Sequence, residues 1–332
     1  MPRSCGIRKD MRQGWKNLYK YWEWDLDRKE EYSHRLLDNV LKKHRQPVVC
    51  WSGGKDSTVV LHLVRQHRPD IPVIYVDSGV EFPETVEFVK YLARSWNLNI
   101  LVTKPKKGEG FWDIGSKYGW PIFGKNIASN VERAIRTGNI RPQMSLLEKI
   151  LAENEMHISA KCSEFLQEKP SKEAEKLLQA DVKILGLTAS ESRARARLWV
   201  DHGDYYFVKH YFGRNKGIWK ANPIAIWTVE DIWEYHRIHA IPYCKLYDKG
   251  YPRNGCWPCA MGIRNGQLKR LRINHPDLFK YLITKTEMGR ELLRAKLVLM
   301  KLNNEFFFQI NDLELNDLEL FLQMYPDFFD KI

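Results

Sequence analysis

Ser52-Gly53-Gly54-Lys55-Asp56-Ser57 brings two hydroxyls, two glycines, a cation and a carboxylate into six consecutive residues. An apolar run, Val48-Val49-Cys50-Trp51, leads into it, and an amphipathic run, Thr58 to Val64, follows at once. The pattern is a buried strand, a tight turn and the first turn of a helix. Gly53 and Gly54 are expected at positive φ, where the backbone can approach a ligand closely. The helix N-terminus offers N–H groups and the positive end of its dipole. Ser52 and Ser57 add donors and Lys55 a charge, so the hexapeptide forms a cradle for a phosphate or pyrophosphate. It is not a Walker A loop, which needs Gly-x4-Gly-Lys-Ser/Thr. A carboxylate is out of place in a pure anion site, so Asp56 is read as a contact to Mg²⁺.

The second constellation is made of thiols. Cys256 and Cys259 form a Cys-x-x-Cys, Cys244 lies 12 residues before Cys256, and Cys162 lies 82 residues before Cys244. Four thiolates from loops can hold a [4Fe–4S] cluster or a structural Zn²⁺, and the residues alone leave both open. A redox disulfide in Cys256-Trp257-Pro258-Cys259 is a further option. A thioredoxin-like pair belongs near a βαβ start, however, and this one comes late.

These groups need a scaffold. The 332 residues suffice for one large or two ordinary domains, and 44% are hydrophobic, so a sizeable core can be buried. After the cradle helix, Ile71 to Asp77 reads as a second strand ending in Asp77-Ser78-Gly79-Val80-Glu81-Phe82-Pro83-Glu84-Thr85. Pro83 and the acidic residues start a helix, and Leu98 to Val102 forms a third strand. Strand–helix–strand–helix–strand predicts a parallel twisted sheet with helices on both faces, an α/β fold. Ligands of such sheets bind beyond the carboxyl ends of strands, which sets Ser52–Ser57 and Asp77–Glu81 on one rim. Further on, a strand from Lys183 ends at Gly186, before Thr188, Glu191, Ser192, Arg193 and Arg195. Thr228 is an N-cap with Asp231 three residues on, and that helix is expected to bury Ile232, Trp233 and Tyr235. The aromatics Trp15, Tyr19, Tyr21, Trp22, Trp24 and Tyr32 read as a packing surface on helices before the first strand.

With these motifs assembled, the chain resembles a known family. Ser52–Ser57 resembles the PP-loop of the N-type ATP pyrophosphatases (adenine nucleotide alpha hydrolase-like), and the Asp77–Thr85 run narrows the resemblance to the phosphoadenosine phosphosulfate reductase-like branch. Enzymes of the wider family cleave ATP between its α and β phosphates, and reductases of this branch bind an adenylyl sulfate in the same cradle. The resemblance implies that Asp77 and Glu81 lie near the nucleotide. It further implies that Gly186, Glu191, Ser192 and Arg195 answer to the pattern Gly-x-Arg-x-x-Glu-Ser-x-x-Arg, with Thr188 where an Arg usually stands. Gly250-Tyr251-Pro252 and Gly255-Cys256-x-x-Cys259 are similar to the cluster-bearing members. Those reductases carry a Cys-Cys pair where this chain has Cys162-Ser163. A single upstream cysteine followed by Cys244, Cys256 and Cys259 is closer to the DndC-type proteins of DNA phosphorothioation. No cysteine follows Cys259 in this sequence, whereas the reductases attack with a late one.

The expected organisation is a helical segment over 1–46, a PP-loop domain over 47–270 with an insertion at about 122–160, and a C-terminal helical segment over 271–332. The expected function is an ATP pyrophosphatase, with Lys55 and Asp56 catalytic, that adenylates an acceptor for sulfur transfer. ATP, Mg²⁺ and a [4Fe–4S] cluster, alternatively Zn²⁺, are the cofactors. Net charge +12 and a pI near 9.3 make nucleic acid the favoured acceptor, DNA before RNA, and a cysteine desulfurase or other sulfur donor completes the partners. The alternatives are a sulfonucleotide reductase and a non-catalytic nucleotide- or cluster-sensing subunit. No apolar run reaches the roughly 18 residues of a membrane span, and the first residues lack a signal-peptide core, so a cytoplasmic protein is expected.

Overall fold

Val48 and Val49 point to opposite faces of their strand, yet both are buried, to 1% and 0% exposure. A strand covered on both sides is the mark of a parallel sheet between helices. The computed structural model describes residues 11–209, 217–302 and 328–329. Along these the chain forms α1 (Met11–Trp22), α2 (Leu26–Lys43), β1 (Pro47–Cys50), α3 (Lys55–His67), β2 (Val73–Val76), α4 (Pro83–Ser95) and β3 (Ile100–Thr103). Next come α5 (Phe111–Tyr118), α6 (Lys125–Thr137), α7 (Leu146–Glu153), the single turn α8 (Lys161–Ser163), α9 (Lys169–Leu177), β4 (Val182–Leu185) and α10 (Arg193–His202). The chain then forms β5 (Tyr205–Val208), β6 (Ile218–Ala221), α11 (Val229–Ile238), α12 (Gln267–Asn274), α13 (Pro276–Lys285) and α14 (Glu287–Leu302).

The six strands form one sheet in the order β3-β2-β1-β4-β6-β5. All neighbours are parallel except β5, which pairs antiparallel with β6 at the edge. The expectation of a parallel sheet therefore holds for all but this last strand. Ala174 of α9 and Leu178 just after it cover Val48 and Ile74 on one face. The first strands, the start of α4 at Pro83 and the cap of α11 match the sequence pattern. Thr228 and Asp231 form a reciprocal capping box. Ile232 and Tyr235 are buried, but Trp233 is only half-buried, and Asp231 and His236 take up the space instead. The early aromatics do pack: Tyr21 meets Trp24 edge-on at 4.6 Å and Trp199 at 5.6 Å, while Trp15, Trp22 and Trp199 surround Leu18 and Val200.

The chain divides into two compact units that alternate along the sequence. The first comprises Met1–Val76, Pro83–Thr103 and Ser171–Lys245, and holds the whole sheet. The second comprises Asp77–Phe82, Lys104–Pro170 and Leu246–Ile332. The helices expected beyond Leu302, with the acidic stretch at 312–315, lie outside the described residues, as does Cys5. None of the described helices is long and apolar enough to cross a membrane.

Candidate functional site

In the first unit the strand order reverses at β1: β2 lies on one side and β4 on the other. The crevice beyond the carboxyl ends of two such strands is where open α/β sheets bind ligands. The hexapeptide leaves β1 at this point. Gly53 takes φ +72°, a conformation that costs glycine little and other residues much. Gly54, expected there too, has φ −79° and ψ 155°: it is the N-cap of α3 and needs no left-handed backbone. No side chain caps α3 at Gly54, which leaves this helix end suited to an anion.

The loop is tied to itself. Ser57 Oγ donates to Gly54 O at 3.0 Å and accepts from Ser52 N at 3.2 Å. Trp51 Nε1 donates to Thr58 Oγ1 at 3.0 Å, and Thr58 Oγ1 donates to Gly54 O at 2.9 Å. Lys55 is 7% exposed and its Nζ meets Asp56 Oδ2 at 2.8 Å. Cation and carboxylate thus satisfy each other here. A polyphosphate arriving with a divalent cation would exchange this pair for two stronger ones, Lys55 to phosphate and Asp56 to the metal.

From β4 comes Gly186. A Cβ there would lie 2.6 Å from Ser57 Cα and 2.7 Å from Ser57 N. Both are backbone atoms of the cradle helix, so nothing soft can give way. We expect Gly186→Ala to cost about 1–3 kcal/mol by overpacking and to weaken nucleotide binding. Thermal melting of the variant with and without nucleotide checks this; an unchanged melt with full nucleotide stabilisation would refute it. Thr188, in the place of the usual arginine, is buried at 4% exposure, and Ser190 Oγ donates to its hydroxyl. Ser192 caps α10 by accepting from Arg195 N. Glu191 and Arg195 pair at 3.7 Å, both well exposed.

The other expected site residues fall mostly in the second unit. Asp77 follows the last residue of β2, and its Oδ1 accepts from Gly79 N, an Asx-type turn. Burial raises the Asp77 pKa, but hydrogen bonds from Lys104 and the Gly79 N–H outweigh that and hold it below its ordinary value. Burial pushes Glu81 the other way, above its ordinary value, although Ser78 donates to it through both N and Oγ. Glu81 also bridges to Cys256 through the backbone. Burial raises the Cys162 and Cys256 thiols, and Cys259 is near enough to raise both further; Cys162 also raises Cys256, and the Cys162 thiol is pushed up to about 12. Cys244 belongs to the first unit, 1% exposed, with its Sγ 3.8 Å from Thr85 Oγ1. Among the described residues no group of three or more His, Cys, Asp or Glu side chains is set to hold a metal ion. The cysteines among the described residues therefore do not present a finished ligand set.

The family model for the phosphoadenosine phosphosulfate reductase domain matches residues 46–123 and 125–261, well over half of the sequence. The chain belongs to that family. The match spans the PP-loop, the Asp77–Thr85 run and all four central cysteines, which agrees with the branch expected from the motifs. A protein of Xanthomonas campestris pv. campestris named phosphoadenosine 5'-phosphosulfate reductase is 30% identical over 211 residues, 62% of this chain and 68% of that protein. An uncharacterized protein of Methanocaldococcus jannaschii is 27% identical over 281 residues, 82% of this chain and 56% of its own length. The chain spans about half the length of the two Methanocaldococcus relatives that it matches. The crystal structure of a phosphoadenylyl-sulfate reductase from Candida auris aligns over 70% of this chain and 94% of that one, at 18% identity and a TM-score of 0.46.

For a member of the phosphoadenosine phosphosulfate reductase domain family, two residues near the motifs had escaped the sequence reading. His236 of α11 is buried, with Nε2 3.1 Å from Lys55 O and Nδ1 3.1 Å from Ile241 O. Burial lowers its pKa, against the pull of the two carbonyls, so the neutral ring donates to only one of them at a time. It backs the cradle from behind Lys55. Lys104, directly after β3, meets Asp77 at 2.9 Å. The signal for Lys104 was its place at a strand's carboxyl end; His236 offered none.

Proposed function

We propose that this chain is a PP-loop ATP pyrophosphatase that activates an acceptor for sulfur transfer. One observation carries the reading: the cradle at the β1/β4 switch point, with Gly53 at positive φ, α3 without a side-chain cap and Gly186 pressed on Ser57. ATP binds with its polyphosphate against α3, and Asp56 would hold the Mg²⁺ that neutralises the phosphates. An acceptor oxygen attacks the α-phosphorus, the bond to the β-phosphate oxygen breaks, and pyrophosphate leaves. Lys55 and the loop amides stabilise the charge that develops on the leaving group. A sulfur nucleophile then attacks the adenylated acceptor, and AMP departs with the former acceptor oxygen. The basic composition and the cysteine pattern favour nucleic acid as acceptor, DNA before RNA, with a cysteine desulfurase or similar donor in the cytoplasm. Cys162, Cys256 and Cys259, all in the second unit, are the candidate ligands for an iron–sulfur cluster.

The test is pyrophosphate release by anaerobically prepared protein, with and without DNA or RNA, together with iron, zinc and acid-labile sulfide content. ATP-dependent release stimulated by nucleic acid, from brown protein, is the expected result. No turnover with any acceptor would leave a nucleotide-sensing subunit as the reading, and stoichiometric zinc without sulfide would remove the cluster. The second reading, a sulfonucleotide reductase, is favoured by the names of the relatives at 30% identity. It needs a thiolate, and burial pushes the Cys50 thiol up to about 11, which makes it a poor nucleophile. Sulfite formed from an adenylyl sulfate and thioredoxin would establish it.

A further inference from the structure

We propose that Trp112, Trp257 and Tyr281, in the second unit, form a stacking face for unpaired bases of a single-stranded nucleic acid. The inference rests on the nucleic-acid reading above and says where the strand is held. Trp112 lies in the first turn of α5, Trp257 inside Cys256-Trp257-Pro258-Cys259, and Tyr281 on α13. All three rings are in mutual contact: centroids are 5.9 Å apart for Trp112–Trp257, 6.2 Å for Trp112–Tyr281 and 6.3 Å for Trp257–Tyr281. The interplanar angles of 54° to 78° exclude a closed stack, so the rings leave faces open instead of covering one another.

The cluster has a floor and an open side. Phe111 and Trp120, each 3% exposed, pack under Trp112 at 5.0 and 6.0 Å. Tyr281, by contrast, is 48% exposed, and Trp112 and Trp257 are half-buried. The backbone fixes the platform, since Trp257 N donates to Val80 O at 2.9 Å.

Charge selects the occupant. Lys280 and Lys285, both exposed, flank Tyr281 on α13, the second of them on its face at i+4. Arg253 is exposed and close enough to Cys259 to lower its pKa. Lys117 is exposed one turn beyond Trp112. The exposed carboxylates on these helices are Asp113, which takes part in the cap of α5, and Asp277. Aromatic faces interleaved with cations are how proteins hold single strands without reading their sequence: bases stack and phosphates meet the basic groups. A duplex keeps its bases stacked inside and cannot use the face.

The experiment uses the full chain and labelled oligothymidylate, oligouridylate and a mixed-sequence DNA duplex, followed by fluorescence anisotropy across a salt series. Tyr281→Ala and Trp257→Leu are each expected to weaken single-strand binding on the order of tenfold. Trp257→Phe keeps a π face and is expected to retain most of it. The dependence of affinity on salt should stay as in the parent, because the phosphate contacts remain. Thermal melts of the variants exclude a folding defect, and Tyr281 is exposed enough to be replaced safely. If the parent binds strands and both variants bind equally well, the stacking face is wrong while the nucleic-acid reading stands. Equal losses on duplex and single strand would also overturn it. If the parent binds no nucleic acid at low salt, the acceptor assignment fails, and this inference with it. The DNA and RNA arms report which strand is preferred.

Discussion

Lys55→Ala is expected to reduce pyrophosphate release by on the order of 10²–10³-fold, the loss seen when one preorganised donor to a developing charge is removed. Asp56→Ala should have an effect of similar size through loss of the metal contact. The two residues pair with each other, and Lys55→Ala leaves Asp56 beside solvent, its side chain 27% exposed, so that fold should survive with a melt within a few degrees of the parent. Asp56→Ala takes a partner from the 8%-exposed Lys55 side chain and is expected to lower the melt further. Single-turnover measurements with saturating ATP separate the chemical step from binding. Undiminished turnover in either variant would remove the cradle from the reaction. His236 supplies a control, because its contact with the cradle is to the backbone oxygen of Lys55 and not to a group that meets the phosphates.

The second large effect concerns stability. Lys29 of α2 is 1% exposed, and its Nζ donates to Asp231 Oδ2 at 2.7 Å and to Trp22 O at 3.1 Å. Asp231 also accepts from Thr228 N at 2.6 Å and so completes the cap of α11. Removing one partner of a buried ion pair strands the other charge, at a cost of about 3–5 kcal/mol. Lys29→Ala should therefore lower the urea midpoint strongly with little change in slope. Pairing Lys29→Met with Asp231→Asn should recover much of the loss, since no charge is left uncompensated. A small shift for Lys29→Ala alone would mean that water reaches Asp231. Because α11 carries His236, the single variant should also loosen the cradle and weaken nucleotide protection.

What the sequence disclosed, and what it hid, follows from where the information lies. Runs such as Val48–Trp51 and Ile71–Asp77 announce buried strands because both faces are covered, and the Thr228/Asp231 cap is written in four residues. The hexapeptide is equally local, although the left-handed conformation belongs to Gly53 alone. β5 and β6 went unread: Tyr205-Tyr206-Phe207-Val208 is short and has no fully buried residue, and Ile218–Ala221 is interrupted by Lys220, so neither shows the longer run of a strand covered on both faces. The contacts of His236 to Lys55 and of Lys29 to Asp231 link positions about 180 to 200 apart, which no local pattern reports. The cysteine spacing grouped four thiols, but Cys244 keeps company with Thr85 in the first unit. The alternation of two units was invisible for the same reason.

That alternation has a consequence for how the protein is made. The chain passes between the units five times, so a ribosome finishes neither before starting the other. β1 is complete at Cys50, yet its neighbour β4 begins only at Val182. At ~5–20 residues per second, β1 waits roughly 7–26 s for that partner. During this interval a nascent chain can form only the β3-β2-β1 half of the sheet, with β1 as an open edge. An apolar, unpaired edge is a template for other chains. Production at lower temperature, or with trigger-factor-type chaperones present, should therefore raise the soluble yield more than any change at the finished surface.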